Sequence, residues 1–554
     1  MIKGGAIAGL LLLLATLSCC GDSIREPDAV DGPPVMRRLT ESQYRATVAS
    51  IFGPQFAIPA RFERGLRSEG LIAIGTSEAG MSPFSIEQYD AAALGVAAVV
   101  VNEKNREQFV PCKPRAGVPF DDACAKRFVE QYGPLLFRRP LTQEELGRYV
   151  EMARAGQQRV GDFYGGLELT LAGMMVSPEF LLRIERTPQE EQGAGPQQLD
   201  AWSKATRLSY FLTNSTPDKE LLRAASAGEL ESSKGLRRQV DRLIESPRFE
   251  PAVRAFFEDM LQFDKFDDLA KDSVVFPAFN STVAADAREQ TLRTIMAVLL
   301  EEHGDYRDLF TTRHAYLTRP LGIVYRLPVP ARNGWEKTQF PESSHRAGIQ
   351  SHVAFLSLYS HPGQSSPSLR GKAIRELFLC QEVPDPPPNV NFAAVQETSN
   401  ASMPTARDRL EVHRTSPACA GCHKIMDPLG LTLENFDGLG TFRMTENAAP
   451  IDASGSLDGT DFQTPEGLGQ ALHDHPETPR CLVERMYRYA VGRDTQIEER
   501  AYMDFLTKSF AADGFRVPEL MRTIALSENF FTISAPPEGD EHDYEQVSQT
   551  GEGS

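Results

Sequence analysis

The sequence predicts a mainly α-helical protein with several domains. Apolar residues recur at helical spacing along most of the chain, and helix-start signals precede many of these runs. Thr40 with Gln43 and Thr142 with Glu145 have the spacing of capping boxes, and Ser85 with Gln88 is expected to begin an Ala-rich helix. No strand-like alternation of any length precedes residue 315, and no period of roughly 20 to 50 residues repeats. These features exclude solenoid and propeller folds.

Composition sets the size and excludes some partners. A chain of 554 residues is too long for one hydrophobic core and should divide into about three to five domains. Its apolar content of 41% is ordinary for a globular protein. The formal charge of −18 argues against a nucleic-acid partner and against binding to anionic lipid by charge.

The first residues have the pattern of an export signal. Lys3 precedes the apolar run GAIAGLLLLLATLS, which is long enough for a signal peptide and too short for a clear membrane span. The following Leu17-Ser18-Cys19-Cys20-Gly21 resembles a bacterial lipobox, in which a cysteine becomes acylated and N-terminal. Cys20 fits this pattern best and Cys19 is the second choice; ordinary cleavage to a soluble exported protein is the alternative. By resemblance to sorting rules, Gly21 in place of Asp favours the outer over the inner membrane.

A second motif lies near the other end of the chain. Cys419, Cys422 and His423 spell C-x-x-C-H, the attachment signature of a c-type haem. On one helical turn, two thioethers hold the porphyrin edge while the next imidazole reaches the iron. A redox dithiol would need a thioredoxin-like βαβ context, and a zinc site would need a second Cys or His pair, and neither is present. The sequence therefore predicts one covalent haem c with His423 as the proximal ligand, and export is the condition that such attachment needs in bacteria.

The second axial ligand stays open. Met444, Met486 and His413 are candidates, and a five-coordinate iron with an open face is a further possibility. Met426 follows His423 by three residues and lies on the same side of the porphyrin. Apolar Leu431, Leu433 and Phe436 could cover a porphyrin face or belong to an ordinary core, and Asp427-Pro428-Leu429-Gly430 is expected to end the helical turn.

The remaining cysteines are even in number. Apart from the lipobox and haem pairs, Cys112, Cys124, Cys380 and Cys481 remain, and in an oxidising compartment they are most simply two disulfides. Cys112 with Cys124 closes a short loop, which leaves Cys380 for Cys481.

Several phrases, in order, resemble a large family of exported bacterial proteins built from domains of unknown function 1587, 1595, 1592, 1588 and 1585, also called planctomycete-type cytochrome C proteins. The resemblance covers Met36 to about Phe531 and is most specific at the haem motif. It implies a mostly helical, exported protein with one c-type haem, and implies no substrate. The phrases are RRLTESQYRATVASIFG, FRRPLTQEE, SPEFLLRIE, ATRLSYFLTNSTPDKELL, SPRF, SSPSLRGK, PDPPPNV, HRTSPACAGCHKIMDPLGLTLENFDGLGTFR and YAVGRD.

Domain limits follow from these phrases and from polar or Pro-rich breaks. A small β-hairpin is expected within IDASGSLDGTDF, residues 451–462. The expected parts are a lipoprotein signal peptide at 1–20, a tether at 21–35, helical domains at 36–123 (1587-like), 124–190 (1595-like) and 197–330 (1592-like), a haem-attachment domain at 340–445 (1588-like), a helical domain at 451–532 (1585-like) and a disordered acidic tail at 533–554.

Three functions are compatible with these features. The simplest is electron transfer in the cell envelope by a lipid-tethered monohaem protein, with a redox partner protein. A haem-dependent oxidoreductase, peroxidase- or oxygenase-like, would need an open distal face. A cell-surface binding lipoprotein with a structural haem is the third, because the helical mass exceeds what an electron carrier requires. No Ser-His-Asp elbow, Walker loop, HExxH or dinucleotide fingerprint occurs.

Overall fold

The computed structural model describes residues 24–56, 58, 60, 62–78, 80–188, 195–384, 402–415, 417 and 419–534. Over this part of the chain the fold is mainly helical with a few small strand pairs, as the sequence predicts. The predicted signal peptide, the lipobox cysteines Cys19 and Cys20, and residues 535–554 of the acidic tail lie outside the described residues.

The N-terminal helices begin where capping chemistry predicts, with one exception. The Thr40–Gln43 and Thr142–Glu145 capping boxes are both formed. The Ala-rich helix starts earlier than expected, because Ser82 accepts the backbone N–H of Ser85 and Pro83 occupies the first helical position. The helices are α1 (Glu41–Phe52), α2 (Ile72–Glu78), α3 (Pro83–Val101), α4 (Arg106–Phe109), α5 (Asp122–Phe137), α6 (Gln143–Val160), α7 (Phe163–Met175) and α8 (Pro178–Leu181).

Further α-helices follow in the rest of the described chain. Its helices are α9 (Ala201–Thr213), α10 (Lys219–Ser226), α11 (Ser233–Ile244), α12 (Phe249–Met260), α13 (Ser281–Met296), α14 (Arg319–Tyr325), α15 (Val353–Leu358), α16 (Pro367–Phe378), α17 (Ala406–Thr415), α18 (Ala420–Leu431), α19 (Pro465–Asp474), α20 (Glu477–Val491), α21 (Arg500–Ala512) and α22 (Val517–Leu526).

Short antiparallel strand pairs join these helices. The predicted hairpin is present, and both residues of its turn, Asp458 and Gly459, have positive φ, as a tight hairpin turn requires. The pairs are β1 (Arg37–Arg38) with β2 (Leu182–Arg183), β3 (Pro196–Gln198) with β10 (Thr532–Ser534), β4 (His314–Leu317) with β5 (Glu336–Gln339), β6 (Thr445–Glu446) with β7 (Ala449–Pro450), and β8 (Gly455–Leu457) with β9 (Thr460–Phe462).

Two large apolar cores hold the described residues together. The N-terminal core takes its buried side chains from residues 39–181 and Tyr210. The main core takes them from residues 71–533, so the three regions expected as the 1592-like, 1588-like and 1585-like domains share one hydrophobic interior. The haem-motif region is consequently built into a larger body.

The described part of the expected tether, residues 24–35, contacts the body of the protein. Val30 N–H donates to Asn529 Oδ1 at 2.8 Å, Ser534 N–H donates to the Gly32 carbonyl at 2.8 Å, and Ser527 donates to Glu26. Polar, Pro-rich composition predicts a solvated linker here, yet these backbone groups find partners at the C-terminal end of the chain. Strand β10 likewise extends to Ser534, two residues into the expected tail.

Both expected disulfides are present, Cys112–Cys124 and Cys380–Cys481. The second joins residues 101 positions apart, and it links the end of α16 to α20. Such a long loop loses much conformational entropy when it is closed in the unfolded chain. The link therefore fixes α20 beside the helix that packs on the haem motif.

Helix α3 is, among the described residues, the one helix that has the length and apolar composition needed to cross a membrane. It packs against α7 and contributes Val96 and Val100 to the N-terminal core.

Candidate functional site

Helix α18 carries the C-x-x-C-H motif. Cys419 is its N-cap residue, and Cys422 and His423 lie in its first turn. Both thiols are free and partly exposed, and the His423 side chain is 15% exposed. Residues three and four apart lie on one face of a helix, so the three side chains share a face.

The helix continues to Leu431, although Asp427-Pro428-Leu429-Gly430 was expected to end it. Proline inside a helix costs about 3 kcal/mol because it removes a hydrogen bond and crowds the preceding turn. Asp427 and Leu429 are fully buried, so packing of this turn offsets the cost. The expectation was wrong because a local signal was overridden by tertiary contacts.

Helix α16 crosses α18 at two glycines. A Cβ on Gly371 would lie 1.8 Å from the Met426 carbonyl oxygen, and a Cβ on Gly430 would lie 1.7 Å from the Pro367 carbonyl oxygen. Because both obstacles are backbone atoms, these positions accept no larger residue at this helix separation. Arg375 of α16 also donates from Nε to the Ile425 carbonyl at 3.0 Å.

A buried carboxylate anchors the motif histidine. His423 Nδ1 lies 2.8 Å from Asp427 Oδ2, one helical turn away, and Asp427 is 0% exposed. The other oxygen of this carboxylate, Oδ1, accepts a 2.8 Å hydrogen bond from Ser368 Oγ on α16. A carboxylate on Nδ1 fixes the tautomer and the ring orientation, and leaves Nε2 as the nitrogen available for a metal.

His413 is the second-ligand candidate that the structure brings to His423. It lies on α17, is 6% exposed, and its Nδ1 is 3.4 Å from His423 Nε2. The two rings meet edge to face with centroids 4.8 Å apart. Burial lowers the pKa of His413, the neighbouring His423 lowers it further, and Asp427 opposes the shift.

Helix α17, and with it His413, is held by Glu446. This carboxylate accepts the backbone N–H of Ala406, in the first turn of α17, at 2.7 Å and binds Arg409 Nη2 at 2.6 Å. An acidic group at a helix N-terminus is favoured by the helix dipole. Ala406 and Leu410 also pack on Leu431 of α18 as a small apolar cluster.

The other predicted site residues lie elsewhere. The Met444 side chain is 73% exposed after α18, and Met486 is fully buried in the main core. Leu433 and Phe436, expected as possible cover for a porphyrin, are also main-core residues with 0% exposure, whereas Leu431 contacts α17.

The sequence interpretation missed Asp427 and Ser368. The spacing of His423 and Asp427, four residues apart on a predicted helical turn, was a usable signal for their contact. Ser368 could not be found in this way, because its contact with Asp427 spans 59 residues.

The donor set fits a haem better than an all-protein metal site. Among the described residues, no group of three or more His, Cys, Asp or Glu side chains is arranged to hold a metal ion. A structural zinc site needs four such ligands, whereas a porphyrin supplies four nitrogens and leaves the protein only axial positions. His423 would supply one axial imidazole, and the free thiols of Cys419 and Cys422 would attach the porphyrin edge.

Comparison with protein families matches five models, each described as a protein of unknown function. They are DUF1587 over residues 37–102, DUF1595 over 124–185, DUF1592 over 199–327, DUF1588 over 346–446 and DUF1585 over 458–530. The chain belongs to the family built from these five domains. These matches confirm the family resemblance that was predicted from the sequence. The site described above falls within the DUF1588 match, whose model is named PSCyt3. Comparisons with curated proteins and with solved structures found no match.

Proposed function

We propose that this protein is an exported monohaem c-type cytochrome that transfers electrons in the cell envelope. The observation that carries the proposal is the arrangement at the start of α18, where two free thiols stand beside a histidine whose Nδ1 is held by a buried carboxylate. The cytochrome-type name of the family model matched at residues 346–446 agrees with it.

Each residue has a distinct role in this proposal. Cys419 and Cys422 would carry the two thioether bonds, His423 would bind iron through Nε2, and Asp427 would keep the imidazole oriented. When bound, haem supplies one-electron redox chemistry that these side chains do not supply by themselves.

His413 is the proposed second axial ligand. Its Nδ1 lies 3.4 Å from His423 Nε2, within hydrogen-bond distance, so His413 would have to move away from His423 for both residues to hold one haem iron. Its helix contacts Glu446 and Leu431. Occupation of both axial positions by protein closes the metal to exogenous ligands, which suits an electron carrier.

A haem-dependent oxidoreductase is the second candidate, and the His423–Asp427 pair favours it. A carboxylate on Nδ1 makes the imidazole a more basic, electron-rich ligand, which stabilises oxidised iron. This function requires that His413 leave the distal face free. The two candidates therefore differ at a single side chain.

The proposed location is the periplasm or the cell surface, with a lipid anchor at Cys20 or Cys19 in the outer rather than the inner membrane. With a formal charge of −18, the protein has no electrostatic route to an anionic bilayer, so attachment depends on the lipid. A redox partner protein in the same compartment would exchange electrons with the site.

Replacing Cys419 and Cys422 together with Ala should abolish covalent haem. Protein produced with the c-type maturation machinery is separated on a denaturing gel and stained for haem peroxidase activity. The wild type should stain and the Cys419→Ala, Cys422→Ala variant should not. The Cys112→Ser, Cys124→Ser variant also loses a pair of cysteines, so it is the matched control and should stain. A colourless wild type would refute haem attachment.

Replacing His413 with Ala should convert a closed site into one that binds CO. The optical spectrum of the reduced wild type should be low-spin and change little when CO is added, whereas His413→Ala should bind CO within the mixing time. Met444→Ala, at an exposed methionine, is the control and should behave as wild type. Rapid CO binding by the wild type would instead support the oxidoreductase.

Replacing Asp427 with Asn should raise the midpoint potential, because the neutral amide makes His423 a weaker donor to oxidised iron. A tenfold change in the preference of the site for oxidised over reduced iron corresponds to roughly 60 mV for one electron. Ser368→Ala should lower the potential, since the carboxylate loses a competing hydrogen bond and acts more strongly on His423. Potentials that move in the same direction in both variants would indicate general loosening and contradict this role.

Replacing Cys19 and Cys20 together with Ser should release the protein from membranes. Fractionation of cells should show the wild type in the outer-membrane fraction and the double variant in soluble or unprocessed form, because no lipid is attached. The single variants identify the acylated cysteine. A wild type that is already soluble would contradict the anchor.

A further inference from the structure

A cavity of about 510 Å³ lies between the two cores, away from the haem motif. Its walls come from the start of α1, the segment 62–65, α3, α12 and Tyr489 on α20. This size is within the range of about 300 to 1,000 Å³ that is usual for small-molecule sites, and junctions between domains are a common place for them.

Arg38 is the unusual group in this cavity. It is 6% exposed, and its one side-chain hydrogen bond among the described residues is a long 3.5 Å contact from Nη1 to Ser85 Oγ. No carboxylate in the described part of the chain lies within 4.0 Å of its guanidinium nitrogens. A buried cation with so little compensation is costly, so most of its donors are available for a ligand.

The other arginines that line the cavity are paired. Arg45 binds Glu41 at 2.7 Å, Arg64 binds Asp268 at 2.7 Å, and Arg288 binds Glu258 at 2.9 Å. Two of these pairs neutralise the cavity-lining carboxylates Glu41 and Glu258, and Arg67 binds Asp259 and Asp264 of the same wall. The wall also holds Glu63 and Asp267. Arg38 therefore differs from its neighbours in lacking a counter-ion rather than in being cationic.

Two tyrosines line the same cavity. Tyr89 and Tyr489 are 3% and 7% exposed and line the cavity, and neither hydroxyl has a hydrogen-bond partner among the described residues. Burial raises the pKa of Tyr89, the positive charge of Arg38 opposes this rise, and the carboxylates of Glu41 and Glu63 add to it, so all three charged groups lie near the phenol. A ligand could accept hydrogen bonds from the Arg38 guanidinium and from the Tyr89 hydroxyl.

Two further buried arginines belong to the β1–β2 pair that carries Arg38. Arg37 and Arg183, its neighbours in the β1–β2 pair, are 1% and 5% exposed. Glu185 pairs with Arg37 at 3.5 Å and also with Arg207, so one carboxylate serves two buried arginines. Arg183 lies over the Tyr210 ring at 4.9 Å and has no carboxylate within salt-bridge distance in the described residues. Arg37 and Arg183 do not line the cavity, but with Arg38 they give the β1–β2 pair three buried arginines and no carboxylate, which favours an anion beside Arg38.

We infer that the cavity binds a small polar molecule through an oxyanion group, a carboxylate or a phosphate, held by Arg38 and the hydroxyl of Tyr89. The planar guanidinium matches two oxygens of either group, and such charge-assisted hydrogen bonds are among the stronger ones in proteins. This site does not depend on the proposed haem.

Calorimetric titration of the mature wild-type protein tests the inference with a matched pair of probes. Glucuronate and glucose have the same ring and differ by a carboxylate in place of a hydroxymethyl group, and inorganic phosphate serves as a free oxyanion. Glucuronate or phosphate should bind, and glucose should bind at least tenfold more weakly or not at all. If phosphate binds and glucuronate does not, the ligand type is a free anion. If glucuronate binds and phosphate does not, the ligand type is a carboxylate. Equal affinity for glucuronate and glucose, or no binding of either oxyanion, would overturn the inference.

Variants then locate the binding. Arg38→Gln should weaken the oxyanion at least tenfold, and Arg38→Lys should weaken it less, because the charge is kept while the two-pronged contact is lost. Arg223→Gln removes the same charge from an exposed helix position outside the cavity and should bind as wild type. Thermal unfolding shows which variants are folded. If Arg38→Gln is unfolded, the comparison of glucuronate with glucose on the wild-type protein decides the question. Unchanged binding by a folded Arg38→Gln would overturn the site.

Discussion

The packing of α16 against α18 is the constraint on which the candidate site depends. Gly371 and Gly430 let the two backbones approach until no side chain fits between them, and this brings Ser368 within 2.8 Å of Asp427. Asp427 in turn fixes His423. A larger residue at either glycine would separate the helices and leave a buried carboxylate without one of its donors, so the chemistry of the histidine is set by a backbone contact.

The same helix supports the chain that follows α18. Arg370 of α16 is fully buried and donates to the carbonyls of Leu433 and Phe436 at 2.9 and 2.7 Å, and it lies 3.5 Å from Glu434. Burial lowers the pKa of Arg370 to about 10 and raises the pKa of Glu434, while the attraction between the two groups opposes both shifts. One arginine thus satisfies several carbonyls of the 3-10 turn Thr432–Asn435 and of the residues after it, which fixes the exit of α18.

Features that depend on neighbouring residues could be predicted from the sequence, and features that depend on distant ones could not. The capping boxes, the Asp458-Gly459 turn and the position of Cys419, Cys422 and His423 on one helical turn follow from local spacing. The continuation of α18 through Pro428 does not, because packing on α16 outweighs a local penalty. The contacts of residues 24–35 with the end of the chain have separations near 500 residues, as in Val30 with Asn529, and composition alone carries no information about them. The sharing of one core by three expected domains was missed for the same reason.

That shared core joins the two sites. Tyr489 lines the inter-core cavity and lies on α20, which also carries Cys481. Cys481 is bonded to Cys380, two residues beyond the end of α16, and α16 carries Ser368 at its other end. The cavity that Arg38 lines is therefore bounded by a helix that is covalently linked to the helix orienting the Asp427–His423 pair. Energetic coupling between two sites is carried by contiguous packed elements. Here α20, the Cys380–Cys481 disulfide and α16 form such a connection between the cavity and His423, the residue proposed to bind iron.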